Sequence, residues 1–446
     1  MFDRWVNRWL PSHYYRGPAL LVLVSFMGIL VTLLIKQITG SSINRYPEAI
    51  YTLAFLFALI KYFSFLKYEP MVWLAFGTAL LPLVTFAINY LIDPVSAVAF
   101  YQWEQLPRIM MFMAVAWWLG NHERTHIIFL VVAFLGLLIA IGMDQNFSRS
   151  MGRLTAGNRV DFGILNAQHV GLYFSIALVG FLTYGWKALR IQKLILRISI
   201  IGLIFIGTGL SLIVVIGSQT RAAWLALVIC LGVWVVVQIK YLLTRQIQSK
   251  YFRLILPILL IGFGSVIYFN DNIKQRVSAE SNVIELVISG DFDNIPMTSI
   301  GIRINTWIVA FENIAQRPII GWGARSRGSV INDSDRLPKK IKERFGHFHN
   351  TIIEFGLAYG LLAILLLVSV YAWILIGTRK AVLAGYGSKE TWQFTAYGTI
   401  VFVVMNQFES YLFFWSGIYA SQIYLAPAFS VMLAHRFHMY RISVNG

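Results

Sequence analysis

The sequence is poor in charge. Only 13% of its 446 residues are Asp, Glu, Lys or Arg, while 58% are hydrophobic. Soluble domains carry roughly 25% charged residues, so a water-soluble globular fold is excluded. Cysteine is nearly absent as well. Cys230 stands alone inside an apolar run, which excludes a disulfide framework and a cysteine metal cage. The apolar runs are continuous and show no period-two alternation, which excludes a transmembrane β-barrel. No small-residue cleavage site follows the basic, aromatic start "MFDRWVNRWLPSHYYRG". The first apolar run is therefore read as a retained helix rather than a signal peptide. No internal repeat is visible, so the inverted-repeat pattern of many transporters is missing.

What is present is a series of apolar runs near 20 residues, each long enough to cross a hydrocarbon core of about 30 Å. The sequence predicts an all-α polytopic membrane protein with about twelve spans. They fall near 18–35, 49–66, 71–90, 102–120, 126–143, 169–186, 195–216, 222–239, 253–270, 351–376, 392–410 and 416–434. Three regions follow: spans one to nine (1–270), a large polar segment between spans nine and ten (271–350), and spans ten to twelve with a tail (351–446).

The positive-inside rule sets the orientation. With the N-terminus in the cytoplasm, the short inside loops hold Lys61, Lys67, Arg124, Lys187, Arg190, Lys193, Lys240, Arg379 and Lys380. The outward loops 91–101 and 411–415 hold no Lys or Arg. Both termini are then cytoplasmic and segment 271–350 is extracytoplasmic. Within it, Ile304, Trp307, Ile308, Phe311 and Ile314 share a helical face. That pattern predicts an amphipathic helix lying on the membrane or capping a cavity.

The informative cations are those on the outward side. Arg153 and Arg159 precede span six, Arg221 sits in the short turn of "GSQTRAAW", Arg303 opens the amphipathic helix, and His347 and His349 enter span ten. Charge near a bilayer is costly and is retained for function. An arginine fork matches phosphate oxygens, so this gathering points to a phosphate-bearing anion. Interfacial snorkelling explains a single such arginine equally well. His349 suits a general base at neutral pH, and nearby arginines would keep it neutral. Spacing alone leaves a second reading open, in which the histidine only precedes a helix capped by Asn350. The sequence does not favour a metal pair at His-x-His, because no cysteine or dense carboxylate cluster adjoins it. "DFD" (291–293) and "DSD" (333–335) read as solvated acidic turns. Glu354 and Glu409 lie near outward span ends; each reads best as an interfacial carboxylate with a basic partner, although either could orient a histidine or carry a proton.

Four stretches together resemble the O-antigen ligase and O-antigen polymerase superfamily of bacterial membrane glycosyltransferases. They are "LNAQHVGLYFSIAL" (165–178), "SQTRAAWLAL" (218–227), "GIRINTWIVAFENIAQRPIIGWG" (301–323) and "HNTIIEFGLAYGLL" (349–362). In the last, His349, Asn350 and Gly360 match the ligase pattern, while Ala363 stands where that pattern has glycine. The resemblance implies a GT-C-like, metal-independent, inverting transferase of the bacterial inner membrane, with its active site facing the periplasm and no cofactor. It implies a glycan on undecaprenyl pyrophosphate as donor and a sugar hydroxyl of lipid A core as acceptor. His349 would be the base, and Arg221 and Arg303 would hold the pyrophosphate. Arg153, Arg159, Asn350, His347 and His169 are expected as substrate contacts, and Glu354 as support. No nucleic-acid partner is expected; membrane lipids are. An O-antigen polymerase and a protein O-oligosaccharyltransferase are the near alternatives. A lipid-linked glycan transporter is the distant one, and it would want ionisable residues deep in several spans.

Overall fold

The computed structural model describes residues 18–39, 45–243 and 281–445. Among the described residues it is all-helical and has no strand. The first half comprises α1 (Ala19–Thr39), α2 (Arg45–Lys61), α3 (Phe63–Leu66), α4 (Pro70–Ile92), α5 (Pro94–Phe100), α6 (Phe112–Leu119), α7 (Glu123–Gly142), α8 (Phe147–Thr155) and α9 (Ala167–Tyr184). Next come α10 (Leu194–Gly217), α11 (Arg221–Leu243), α12 (Ser281–Ser289), α13 (Ser299–Gln316), α14 (Ser326–Asp333) and α15 (Lys339–Arg344). The chain closes with α16 (Thr351–Leu383), α17 (Lys389–Met405) and α18 (Trp415–Asn445).

Eight of these helices are long and apolar enough to cross a membrane. This is a polytopic membrane protein. The expected ninth span, 253–270, lies outside the described residues. The second and eleventh expected spans are helices of 17 residues, α2 and α17.

The fourth expected span, 102–120, departs most from its prediction. It runs as two 3₁₀ turns, Trp103–Gln105 and Pro107–Met111, before α6 begins. Pro107 lacks the N–H a continuous helix needs, and Glu104 binds Arg108 at 3.2 Å one turn on. Irregular backbone at this depth is tolerated only when buried in protein. Here Gln105 donates to the Leu412 carbonyl (3.0 Å) and the Tyr359 hydroxyl to the Gln102 carbonyl (3.0 Å).

A second break shapes the site. At Gly360 α16 leaves helical geometry (φ 66°, ψ −163°), so a short buried half, Thr351 to Tyr359, precedes the long one. A break orphans backbone groups on both sides. The loop after α13 inserts its own backbone to satisfy them. The Trp322 and Gly323 N–H groups donate to the carbonyls of Leu357 and Ala358, each at 2.8 Å, and the Leu361 N–H donates to the Pro318 carbonyl at 2.8 Å. The approach is so close that a Cβ on Gly360 would lie 2.2 Å from Ile319 backbone, and one on Gly321 2.5 Å from Ala358. Both glycines also have positive φ, which side chains resist. The Pro-x-x-Gly-x-Gly stretch is thus a backbone clasp on a broken helix. Asn89 and Thr85 of α4 hold it from behind through the Gly321 and Ile320 carbonyls.

Helix α13 packs against the short half of α16, and its buried face is Asn305, Thr306, Val309 and Ala310. The apolar stripe read from the sequence is turned partly outward, and Phe311 is 57% exposed. Two other members of that stripe, Trp307 and Ile314, pack on a small core with Phe348, Ile353 and Leu357. The helix therefore caps the bundle.

Candidate functional site

Three segments meet at one end of the bundle: the α10–α11 turn, the start of α13, and loop 345–350 with the α17–α18 connection behind it. The turn 218–220 is tied to the loop that precedes α9. Ser218 accepts from Arg159 Nε (3.1 Å), Gln219 donates to the Gly157 carbonyl (2.7 Å), and Thr220 donates to the Ala167 carbonyl (2.9 Å). Gln219 has positive φ, so the chain reverses sharply there and Arg221 becomes the first residue of α11. Its side chain is exposed.

Arg303 lies in the second turn of α13, whose N-terminus Thr298 caps by accepting from Gly301 N–H (3.2 Å). It is half-buried. Among the described residues neither Arg221 nor Arg303 forms a salt bridge or a side-chain hydrogen bond. Burial lowers the Arg303 pKa, and Arg221 and Arg159 lower it further against the pull of Glu409. A guanidinium half out of water beside two like charges is poised to accept an anion.

Loop 345–350 delivers the histidines. His349 has φ +54°, a left-handed conformation that costs a non-glycine residue of order 1–3 kcal/mol. Its neighbours hold it there. The Trp307 indole donates to the Phe348 carbonyl (2.8 Å), and the Phe348 N–H donates to Glu354 Oε1 (2.9 Å). Asn350 caps α16 by accepting from the N–H groups of Ile352 and Ile353 at 3.0 and 3.2 Å. Asn350 therefore has a structural task. The Arg-x-x-x-Trp pattern also gains a physical meaning: one helix turn carries both the free guanidinium and a brace for the histidine loop.

The rings of His347 and His349 stack at 3.9 Å between centroids. His347 Nε2 lies 2.9 Å from Glu409 Oε1. Burial pushes the His349 pKa down to about 4, and His347 and Arg303 push the same way against Glu409. The ring is neutral at pH 7 and so offers a nitrogen that can accept a proton. Burial pushes Glu409 up, but the His347 hydrogen bond, the two imidazoles and the Ser410 N–H outweigh it and hold the carboxyl at about 2. Glu409 is thus an anion partnered by His347, the neighbour whose role the sequence left open.

His347, His349 and Glu409 each offer a ligand atom, all within 4.8 Å of one another, and so could hold a metal ion. The sequence shows no dense carboxylate cluster beside His-x-His; the fold supplies a carboxylate from 62 residues away. The neighbouring arginines nonetheless make this a place that attracts anions.

The remaining expected residues divide. Arg159 joins the cluster through Ser218 and through its field at Arg303. His169 is buried behind it, bonded to Ser416 (2.7 Å), with Phe414 edge-on to both its ring and that of His347. Arg153 is exposed on α8, and no contact brings it to the others. Glu354 is wholly buried and binds Arg327 at 2.8 Å. Arg327 carries no signal in the sequence, because its partner stands 27 residues on.

The fold and the side-chain cluster define a multi-pass helical membrane protein with a cationic, histidine-bearing site at one end of its bundle. Residues 206–368 match the family model described as O-Antigen ligase. Over those residues the chain is similar to that family, in keeping with the O-antigen ligase and polymerase superfamily. Arg221, Arg303, His349 and Gly360 all fall within the match. No curated protein matches the chain.

Proposed function

We propose that this protein is an O-antigen ligase of the bacterial inner membrane, with both termini in the cytoplasm and the site facing the periplasm. The donor is a polysaccharide on undecaprenyl pyrophosphate, and the acceptor is a sugar hydroxyl of lipid A core. The observation that carries the reading is Arg303: half-buried, without an ion pair among the described residues, flanked by Arg221 and facing a neutral imidazole.

His349 takes the proton of the acceptor hydroxyl as the oxygen attacks the anomeric carbon. The bond from that carbon to the pyrophosphate oxygen breaks, and the pyrophosphate leaves with the electron pair. Attack from the face opposite the leaving group inverts the anomeric centre. Arg303 and Arg221, with Arg159 behind, stabilise the departing charge as preorganised donors. In this scheme the guanidinium groups do what a metal clamp does in other phosphate chemistry, so the reaction needs no metal.

The test is the lipopolysaccharide of a strain lacking the protein. Bare core, with finished polymer stranded on its carrier, is the expected pattern. A single repeat on the core indicates a polymerase instead, and an unchanged pattern removes the acceptor assignment. In the purified protein, Arg221→Lys is expected to fail to restore transfer, because an ammonium lacks the bidentate fork. Full activity in that variant contradicts direct pyrophosphate contact.

A further inference from the structure

We propose that Arg327 is a positioning residue for His349, acting through the buried carboxylate of Glu354. The inference rests on the reading of His349 as the base, yet its geometry stands independently. Glu354 sits one turn into the short half of α16 with its side chain fully buried. Its Oε1 accepts from the Phe348 N–H at 2.9 Å and from the Ser410 hydroxyl at 2.5 Å, and its Oε2 accepts from Arg327 Nη1 at 2.8 Å. One carboxylate thus joins the histidine loop, α16, the α17–α18 connection and α14.

A carboxylate buried this far stays ionised only with a cation and full hydrogen bonding. Arg327 is that cation among the described residues, and its guanidinium also lies 5.0 Å from the Phe413 ring centre. Removing Arg327 leaves Glu354 with a buried charge and no counterion. An unpaired buried charge is costly, so the carboxylate turns towards water, and that weakens its hold on the Phe348 N–H. Phe348 immediately precedes the residue held at φ +54°. With one of its two braces lost, His349 relaxes from the left-handed conformation and its ring swings away from Arg303. Arg221 and Arg303 are untouched by the clamp, so donor affinity is retained while the proton acceptor is misplaced. This separates positioning from general structural support.

The experiment compares wild type, Arg327→Ala, Arg327→Lys and Glu354→Gln, with Ser410→Ala as the mild variant in case the others fail to fold. Modification of His349 by diethyl pyrocarbonate, located by mass spectrometry, reports the ring's setting without any transfer assay. Expected are a clear rise in the His349 modification rate in Arg327→Ala and Glu354→Gln, and partial return in Arg327→Lys. In the transfer assay kcat is expected to fall by about 10²-fold with donor KM nearly unchanged, the size of loss a misplacement of about 1 Å produces. Modification rates equal to wild type in all variants overturn the proposal. So does a loss carried by donor KM alone. If wild type itself transfers nothing, the ligase reading fails while the modification rates still decide the clamp.

Discussion

Two groups of cations in the helix bundle are handled in opposite ways. Around Glu390 and Glu69, away from the histidine site, cations are matched to carboxylates. Lys187 binds both Glu123 and Glu390, Arg190 adds to Glu390 at 3.4 Å, and Arg436 lies 3.5 Å from Glu69, which Trp373 also binds. At the histidine site, Arg221 and Arg303 have no carboxylate within salt-bridge distance among the described residues, and Glu409 is engaged by His347. Paired charges hold helices together. Uncompensated charges beside a neutral imidazole are arranged for something that arrives from outside.

That contrast can be broken or sharpened experimentally. The largest effect is expected from His349→Ala, which should reduce transfer by about 10³-fold, within the range of general-base catalysis. Purified variant supplied with lipid-linked glycan and lipid A core gives the number, and undiminished transfer removes the base assignment. Arg303→Lys should follow with a loss of about 10²-fold, as expected for removing a preorganised donor set. Near-normal activity there would reduce the arginine to a mere positive charge.

The pH dependence comes next. The folded His349 pKa, about 4, lies below its ordinary value of 6.5, so between those values the unfolded chain binds more protons. His349's contribution to stability is therefore full above pH 6.5 and is lost as pH falls towards 4. Thermal unfolding of wild type and His349→Gln should differ in pH dependence across that window, and parallel curves would contradict the burial of the ring. For transfer, kcat/KM reports the free protein and should show no acid limb near 6.5. The kcat profile should be shifted upwards, because a bound pyrophosphate counters the field of Arg303.

The matched cations supply the small effect on activity. Lys187→Met should cost about 1 kcal/mol of stability, because the pair is part-exposed and Arg190 still partners Glu390, while transfer in the folded fraction stays within about two-fold. A large loss of kcat would mean that the two groups are coupled. Smallest of all, a chelator should leave transfer unchanged. A loss restored by a divalent ion would assign His347, His349 and Glu409 as metal ligands.

Much of the fold is legible in the sequence because membrane crossing is a local property, readable from runs of apolar residues. Local reading fails where the backbone breaks. Pro107 with the Glu104–Arg108 pair converts an expected span into turns, and Gly360 splits another, with partners supplied by the distant 318–323 loop. The site is legible in part for the same reason. Arg221, Arg303 and His349 announce themselves as basic residues outside the loops that the positive-inside rule assigns to the cytoplasm. The partnership of Glu409 with His347, the hold of Trp307 on Phe348 and the Arg327–Glu354 clamp join residues 27 to 62 positions apart. No periodicity carries such information. The apolar stripe of α13 misleads because its Asn305 and Thr306 side chains find buried partners and turn inward.

The central claim is that the unpaired arginines of the site hold the donor's pyrophosphate. Equilibrium binding of undecaprenyl-pyrophosphate glycan to the Arg221→Ala, Arg303→Ala double variant tests it most directly. The account predicts a Kd raised by about 10²-fold or more, as the loss of two charge-assisted contacts implies, with thermal stability unchanged. An affinity equal to that of the wild type would contradict it.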